Sequence, residues 1–542
     1  MPSRRLVDPA ATPSALCALA VATLLSSTSG PAHAQVFASA KSALADYSRA
    51  GLAPGQTCES MARFKSKDVR EIHATSIAAT DSTPANCRIS GVLAPEIAFE
   101  VSLPERWNGR FYMFGNGGLA GEALDDRMRV GQRDAAMHVG FAVAQTNTGH
   151  DSRKEPGGSF VLSNPQKAID YAYRAVNLTA VTAKALTKRY YGKPASRSYW
   201  NSCSNGGRQG LIEAQRYPED FDGILVNSPW VDQTGFTIGA MWNQKAIASA
   251  RLTAAKLAFV GTAVMAKCDA VDGVKDGLID DPRKCRFDAK VDVPACSAGA
   301  DSDACLTAAQ SDAVMQVYNG PVSNGKPFFP GFMLGSEGVV AGGPGGGPGV
   351  SGWMNWIVPA QPGTNSADFN LAENTMRYLV PTPPRPTYDY LTFDYDRHTG
   401  TLDAWGKKAN ATNTDLSRFR GKGGKLLMTY GWADTVLQPM MGVTYYEQAV
   451  VRNGPGTPDF FRLFMVPGMG HCGGGYGTDR FDSMTALVDW VEKGKAPDFM
   501  RATRAVNDRE ARSRPICPYP QVARYSGHGS VDDASNFGCA SP

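Results

Sequence analysis

The sequence predicts an α/β fold, a mostly parallel sheet covered by helices on both faces, with a large second domain inserted into it. Three observations predict this. Short apolar runs alternate with stretches of helical periodicity between about residues 99 and 226, the pattern of strands joined by crossover helices. The alternation stops after Trp230, where an Asp-rich loop, four cysteines and a dense set of aromatics take over. It then resumes in the runs at 425–429 and 461–466.

Taken in order, residues 99–103 alternate and precede Pro104, as a strand does. Residues 110–114 form an apolar run ending in Gly115-Asn116-Gly117-Gly118, and residues 140–145 another ending in Thr146-Asn147-Thr148-Gly149. Asn164-Pro165 opens a long helical stretch expected to reach about Tyr191. Pro165 suits its first turn, and Ile169, Tyr173, Val176 and Ala180 recur at helical spacing. A strand at 198–201, a helix through Gln215 and a strand at 224–226 follow. The predicted core is thus 35–230 together with 417–542. The insertion is 231–416, carrying the low-complexity Gly/Pro run 342–349 and the aromatics Trp353, Trp356, Tyr378, Tyr388, Tyr390, Phe393 and Tyr395.

A chain of 542 residues, 43% hydrophobic and 9% aromatic, is long and apolar enough for a globular protein of more than one domain. Its net charge of +4, without a basic run, argues against a nucleic-acid or anionic-membrane surface. No feature encodes oligomeric state, and a monomer is the default expectation. The N-terminus reads as an export signal over 1–34: Arg4 and Arg5, an apolar run at 15–25 too short to span a bilayer, and Ala32-His33-Ala34 as cleavage site. Of eleven cysteines, Cys17 leaves with that segment. The ten that remain form an even set in an oxidising compartment, which favours full pairing. A secreted or periplasmic location follows.

The chemistry centres on Ser202-Cys203-Ser204-Asn205-Gly206, a small-x-Ser-x-small pattern between a strand and a helix. Such a turn is tight, so its flanking residues must be small, and it exposes the central serine above the sheet at a helix N-terminus. Ser202 stands where the commoner pattern has its first glycine. Asp434, in Gly431-Trp432-Ala433-Asp434, and His471, in Gly468-Met469-Gly470-His471, each follow one of the late strands. The order serine, acid, histidine is that of α/β-hydrolases. Ser204 is the expected nucleophile, His471 the base, and Asp434 the group that orients it. A helix cap for Asp434 and a structural role for His471 are the plainer alternatives. The oxyanion hole is expected from the N–H of Asn205 and that of Gly117 or Gly118.

Cys203 precedes the serine and Cys472 follows the histidine. If serine and histidine meet, their neighbours can bond, closing a long loop worth roughly 4 to 5 kcal/mol in the chain-entropy model. The rival reading, a Cys203 thiol nucleophile, fits the even cysteine count less well. In the insertion, residues 268–278 hold Asp269, Asp272 and Asp276 with Gly273 and Gly277 between them. This all-oxygen donor set suits Ca²⁺ and lacks the EF-hand spacing. A solvated acidic turn is the alternative.

These motifs resemble the tannase/feruloyl esterase family over essentially the mature chain. The stretch from Asp170 to Pro229 carries the resemblance, with Cys-Ser-x-Gly-Gly-Arg-Gln at 203–209 and Pro-Glu-Asp-Phe-Asp-Gly at 218–223. Gly-x-x-Asp at 431–434 and Gly-His-Cys at 470–472 complete it. The resemblance implies an α/β-hydrolase core with a lid inserted after the nucleophile helix. It implies lid Ca²⁺ held by Asp269, Asp272, Asp276 and the carbonyls of Val274 and Leu278. It implies the bridge Cys203–Cys472 and four others: Cys58–Cys87, Cys268–Cys285, Cys296–Cys305 and Cys517–Cys539. Its substrates would be esters of aromatic acids, galloyl or hydroxycinnamoyl, or the mono(hydroxyethyl) ester of terephthalate. Trp353, Trp356 and Tyr378 are candidates for an acyl pocket, and Arg377 or Arg385 for a substrate carboxylate. A peptidase, and a non-catalytic binding protein on the same scaffold, are the competing expectations.

Overall fold

The structure, a computed structural model, describes residues 36–338, 352–359, 361 and 363–542. The expected export signal and the whole of the Gly/Pro run 342–349 lie outside the described residues.

A nine-stranded sheet organises the chain. In chain order its first seven strands are β1 (Val69–Ile77), β2 (Asn86–Leu93), β3 (Ile97–Pro104), β4 (Arg110–Met113), β5 (Ala142–Thr146), β6 (Arg197–Cys203) and β7 (Gly223–Asn227). A two-residue hairpin in the insertion, β8 (Val322–Ser323) and β9 (Lys326–Pro327), stands apart. The sheet resumes with β10 (Lys425–Gly431) and β11 (Phe461–Val466). The strand order is β1-β2-β3-β5-β4-β6-β7-β10-β11. From β5 to β11 every pairing is parallel, while β1, β2 and β3 form an antiparallel flank. This is the α/β-hydrolase architecture that the sequence predicts, with an antiparallel edge added.

Side chains alternate between two cores, as the strand period of two requires. Ile224, Val226, Leu426 and Met428 face a core closed by helices Ala175–Tyr191, Asn205–Arg216 and Met440–Asn453. Leu225, Leu427, Phe464 and Val466 face the other, closed by helices Arg127–His138 and Ser483–Lys493. Between β7 and β10 the chain leaves the sheet and builds a third apolar cluster around Val260, Val264, Val314, Val317 and Trp353. The insertion is also continuous with the first core through Phe236 and Met241 of helix Gln233–Ile247. Two further antiparallel pairs end the chain, β12 (Met500–Val506) with β13 (Arg509–Ile516), and β14 (Val522–Tyr525) with β15 (Phe537–Ala540).

The helical stretch expected from Pro165 to about Tyr191 is present, with one finer feature: a wide π turn at Asp170–Arg174 between the α segments Gln166–Ile169 and Ala175–Tyr191. Helical spacing cannot reveal one extra residue per turn, because the flanking apolar stripes stay in phase with their own cores. All ten described cysteines pair in the five bridges implied by the resemblance.

Candidate active site

Ser204 sits between β6 and helix Asn205–Arg216 with φ 61° and ψ −125°, a backbone conformation that costs a non-glycine residue about 1–3 kcal/mol. The surroundings over-determine it. The Ser204 N–H donates to the Asn227 carbonyl at the end of β7, and its own carbonyl accepts from the N–H groups of Arg208 and Trp230, each at 3.0 Å. Close packing explains the small neighbours. A Cβ on Gly206 would stand 1.9 Å from the Ser202 hydroxyl, and one on Gly207 2.8 Å from the Pro229 Cα. Ser202 is therefore accommodated at the first turn position because Gly206 leaves the space its side chain fills.

Asp434 and His471 arrive from the ends of β10 and β11. The loops after these strands are stitched together: Trp432 N–H donates to Val466 O at 2.9 Å and Ala433 N–H to Met469 O at 3.0 Å. Asp434 is wholly buried. One carboxylate oxygen accepts from the N–H groups of Val436 and Leu437, both at 2.9 Å, and the other meets His471 Nδ1 at 2.8 Å. Because the carboxylate can only accept, Nδ1 carries the proton and Nε2 is left with its lone pair free.

The bridge Cys203–Cys472, spanning 269 residues, fastens the histidine loop to the serine turn. A ring nitrogen of His471 and both sulfurs of this bridge lie within 4.8 Å of one another. Cys203 is thereby spent as a thiol, which removes it as a nucleophile. Ser204 is half-buried, and its hydroxyl makes no hydrogen bond to His471 or to any other of the described residues.

Of the two glycines expected to serve an oxyanion hole, Gly117 donates its N–H to the Glu122 carboxylate. The Gly118 N–H meets no acceptor among the described residues, and Gly118 has a φ of +38°. Asn205 is the first residue of its helix, so its N–H is one of the four that no helical carbonyl can reach.

The sequence model of the family described as "Tannase and feruloyl esterase" matches residues 81–540. The chain belongs to this family. It is 33% identical over 540 residues to mono(2-hydroxyethyl) terephthalate hydrolase of Piscinibacter sakaiensis, covering 86% of this chain and 87% of that one. It is 32% identical over 460 residues to a probable feruloyl esterase of Arthroderma benhamiae, covering 81% of each. The crystal structure of feruloyl esterase B from Aspergillus oryzae superposes with a TM-score of 0.74 at 28% identity, over 89% of this chain and all of that one.

The tannase/feruloyl esterase chain is thus a carboxylic-ester hydrolase, and its insertion reaches the site. Leu371 of helix Ala367–Asn374 lies 3.9 Å from the position a Cβ on Gly118 would take. Asn374, at the end of that helix, accepts from the Gly158 N–H at 3.1 Å. No local pattern singles out Leu371; only the fold brings it over the glycine loop. Two expected pocket residues are placed otherwise. Trp353 is completely buried in the insertion's own cluster, its indole N–H donating to the Ser336 hydroxyl at 2.9 Å. A tryptophan amid so many apolar partners fills a core in preference to a ligand pocket. Trp356 and Tyr378 are partly buried against the first core. Arg377 pairs with Glu373 at 2.7 Å one turn back, and Arg385 is exposed.

The acidic loop of the insertion is curled by Gly273 and Gly277, both at positive φ. Asp269 accepts from the N–H groups of Asp276 and Gly277, Asp272 from that of Val274, and Asp276 from that of Leu278. The second Asp276 oxygen pairs with Arg514. Burial raises the Asp272 pKa, and the charges of Asp276 and Asp269 add to the rise. Asp280 is pushed up to about 7, by burial first and by Asp272 and Asp276 next. The three loop carboxylates do not gather within 4.8 Å of one another. Four acids are nonetheless crowded together with Arg514 and Arg524 opposing, so the donor set and its charge fit a hard divalent cation.

Proposed function

We propose that the protein is an exported serine esterase that cleaves esters of aromatic acids, of feruloyl or galloyl type, through an acyl-enzyme on Ser204. The observation that carries this reading is the hydrogen-bonded pair of buried Asp434 and half-buried His471, bound by a disulfide to the turn that holds Ser204 in a strained backbone conformation. With Nδ1 committed to Asp434, His471 Nε2 takes the Ser204 proton as the hydroxyl oxygen attacks the ester carbonyl. The separation in the free enzyme is no obstacle, since such contacts tighten in the substrate complex. The N–H groups of Asn205 and Gly118 receive the oxyanion. The tetrahedral centre collapses, the C–O bond to the alcohol breaks, and His471 returns its proton to the departing oxygen. Water, deprotonated in turn by His471, releases the acid and restores the serine.

The segment 231–416 serves in this reading as a lid supplying the acyl side of the pocket. It would carry Ca²⁺ held by the carboxylates of Asp269, Asp272 and Asp276 with the carbonyls of Val274 and Leu278. Bound there, the ion would neutralise the crowded carboxylates of the loop. Five disulfides accord with an oxidising compartment, and an export signal at 1–34 would deliver the chain there.

A terephthalate monoester is the second reading, favoured by the Piscinibacter sakaiensis relative. Comparing kcat/KM for methyl ferulate, methyl gallate, methyl coumarate and mono(2-hydroxyethyl) terephthalate decides between them. Ser204→Ala is expected to lower turnover by at least about 10⁴-fold and to abolish labelling by a fluorophosphonate. Turnover undiminished in that variant would end the assignment of Ser204 as nucleophile.

A further inference from the structure

Beneath the glycine loop runs a buried line of hydrogen bonds that the reaction scheme does not use. The Trp405 indole N–H donates to Gln233 Oε1 at 2.8 Å, and Gln233 Nε2 donates to the Tyr171 hydroxyl at 2.9 Å. That hydroxyl donates in turn to the Gly118 carbonyl at 3.2 Å, shared with Asn205 Oδ1 at 3.4 Å. Tyr171, Gln233 and Asn205 have no exposed surface, and Trp405 has 2%. Arg208, equally buried, donates from Nε to the same Asn205 oxygen at 2.7 Å and lies over the Tyr171 ring.

The direction of this line is dictated by its ends. An indole can only donate, so the Gln233 amide must present its oxygen to Trp405 and its NH₂ to Tyr171. The phenol oxygen then accepts, and its single proton has nowhere to go but Gly118 O and Asn205 Oδ1. The two residues it touches are the two whose N–H groups face the oxyanion. Tyr171 itself lies in the wide turn Asp170–Arg174 that interrupts its helix, and such turns re-aim side chains at functional positions.

We infer that Tyr171 is a positioning residue whose hydroxyl, set from the insertion through Gln233 and Trp405, holds the Gly118 and Asn205 amides in register for the oxyanion. The inference rests on the oxyanion hole proposed above. A group that positions oxyanion donors acts on the tetrahedral state and leaves ground-state binding alone. The test is Tyr171→Phe in the mature protein, which deletes one oxygen and keeps the ring.

For methyl ferulate, kcat is expected to fall by about tenfold to 100-fold, below the loss for removing an oxyanion donor outright, with KM within about twofold. The inhibition constant of phenylboronic acid, which adds to a serine hydroxyl as a tetrahedral anion, should rise by the same factor. That of free ferulate should stay level. Wild-type kcat and boronate affinity in Tyr171→Phe would overturn the inference. So would a joint loss of kcat, substrate binding and ferulate binding, which marks general disorder. If Tyr171→Phe does not fold, Gln233→Met, which breaks the line one step further out, is held to the same criteria. Ser204→Ala separates the two levels: turnover retained there removes the parent reading, whereas an inactive Ser204→Ala beside a fully active Tyr171→Phe removes only this inference.

Discussion

Ser202 and Gly206 illustrate how one turn distributes its volume. The space that a glycine would leave open at the first turn position is filled by the Ser202 hydroxyl, and Gly206 compensates by lacking a Cβ. Gly206→Ala should destabilise the protein by about 1–3 kcal/mol through overpacking, despite the better helix propensity of alanine. Adding Ser202→Gly should recover most of that loss, read as the change in urea midpoint for the single and double variants. Equal midpoints for Gly206→Ala and wild type would refute the packing account. Asp434 makes a separate point. Asp434→Asn keeps an acceptor for the Val436 and Leu437 N–H groups but offers His471 an ambiguous partner. Stability should change little while kcat falls by about 10⁴-fold, the scale on which a wrong histidine tautomer acts. A Tm drop with kcat intact would place Asp434 in the architecture alone.

At the scale of elements, the strands that carry the site were legible because each combines an apolar run with an abrupt glycine or Asn-rich end. β3 through β7, β10 and β11 all fall where that pattern places them. β1 was not legible: it is an edge strand with largely exposed or half-exposed side chains, so no buried face imprints a period on it. The Asp434–His471 pair was legible because its chemistry demands rare residue types at strand ends. The placements of Leu371, Tyr171 and Gln233 were not, because they arise from contacts between segments far apart in sequence. The loop after β5 shows another such contact. His150 is 2% exposed and stacks on Phe160 at 4.1 Å. Burial lowers its pKa to about 4, with Lys167 reinforcing the drop and Glu155 and Asp151 opposing it. An unfolded histidine titrates near 6.5. Between pH 6.5 and about 4 the unfolded chain binds a proton that the folded chain refuses. Stability therefore rises with pH through this window and falls as the solution is acidified, by roughly 3 kcal/mol in all. His150→Asn should lose about 2 kcal/mol less than wild type between pH 7 and pH 5 in urea unfolding. Parallel losses in the two proteins would show that His150 is not the group responsible.

At the scale of the whole molecule, the insertion and the chain's end are fastened to each other and to the loop that carries Asp434. Arg512 of β13 donates to the Asp276 carbonyl at 2.7 Å, and Arg514 pairs with the Asp276 carboxylate. Arg283, just past the acidic loop, stacks over Trp432, two residues before Asp434, and bonds the Tyr519 hydroxyl at 2.9 Å. The Cys203–Cys472 bridge adds a covalent tie between the Ser204 turn and the His471 loop, worth about 6 kcal/mol by loop entropy alone. Within this frame the acidic loop concentrates like charges, Asp269, Asp272 and Asp276, beside the buried Asp280. Arg514 answers Asp276, but burial and mutual repulsion still raise Asp272 and Asp280. A bound Ca²⁺ at about 100 times its dissociation constant would add about 2.7 kcal/mol to stability, which for a chain of this size corresponds to a Tm shift of about 3 °C. Chelation of the purified protein should therefore lower Tm by about that much, and added Ca²⁺ should restore it. Asp272→Asn should melt at the chelated temperature and respond to neither treatment. Should wild type melt identically with and without chelator, and elemental analysis find no calcium, the loop holds itself together through its backbone bonds and Arg514 alone.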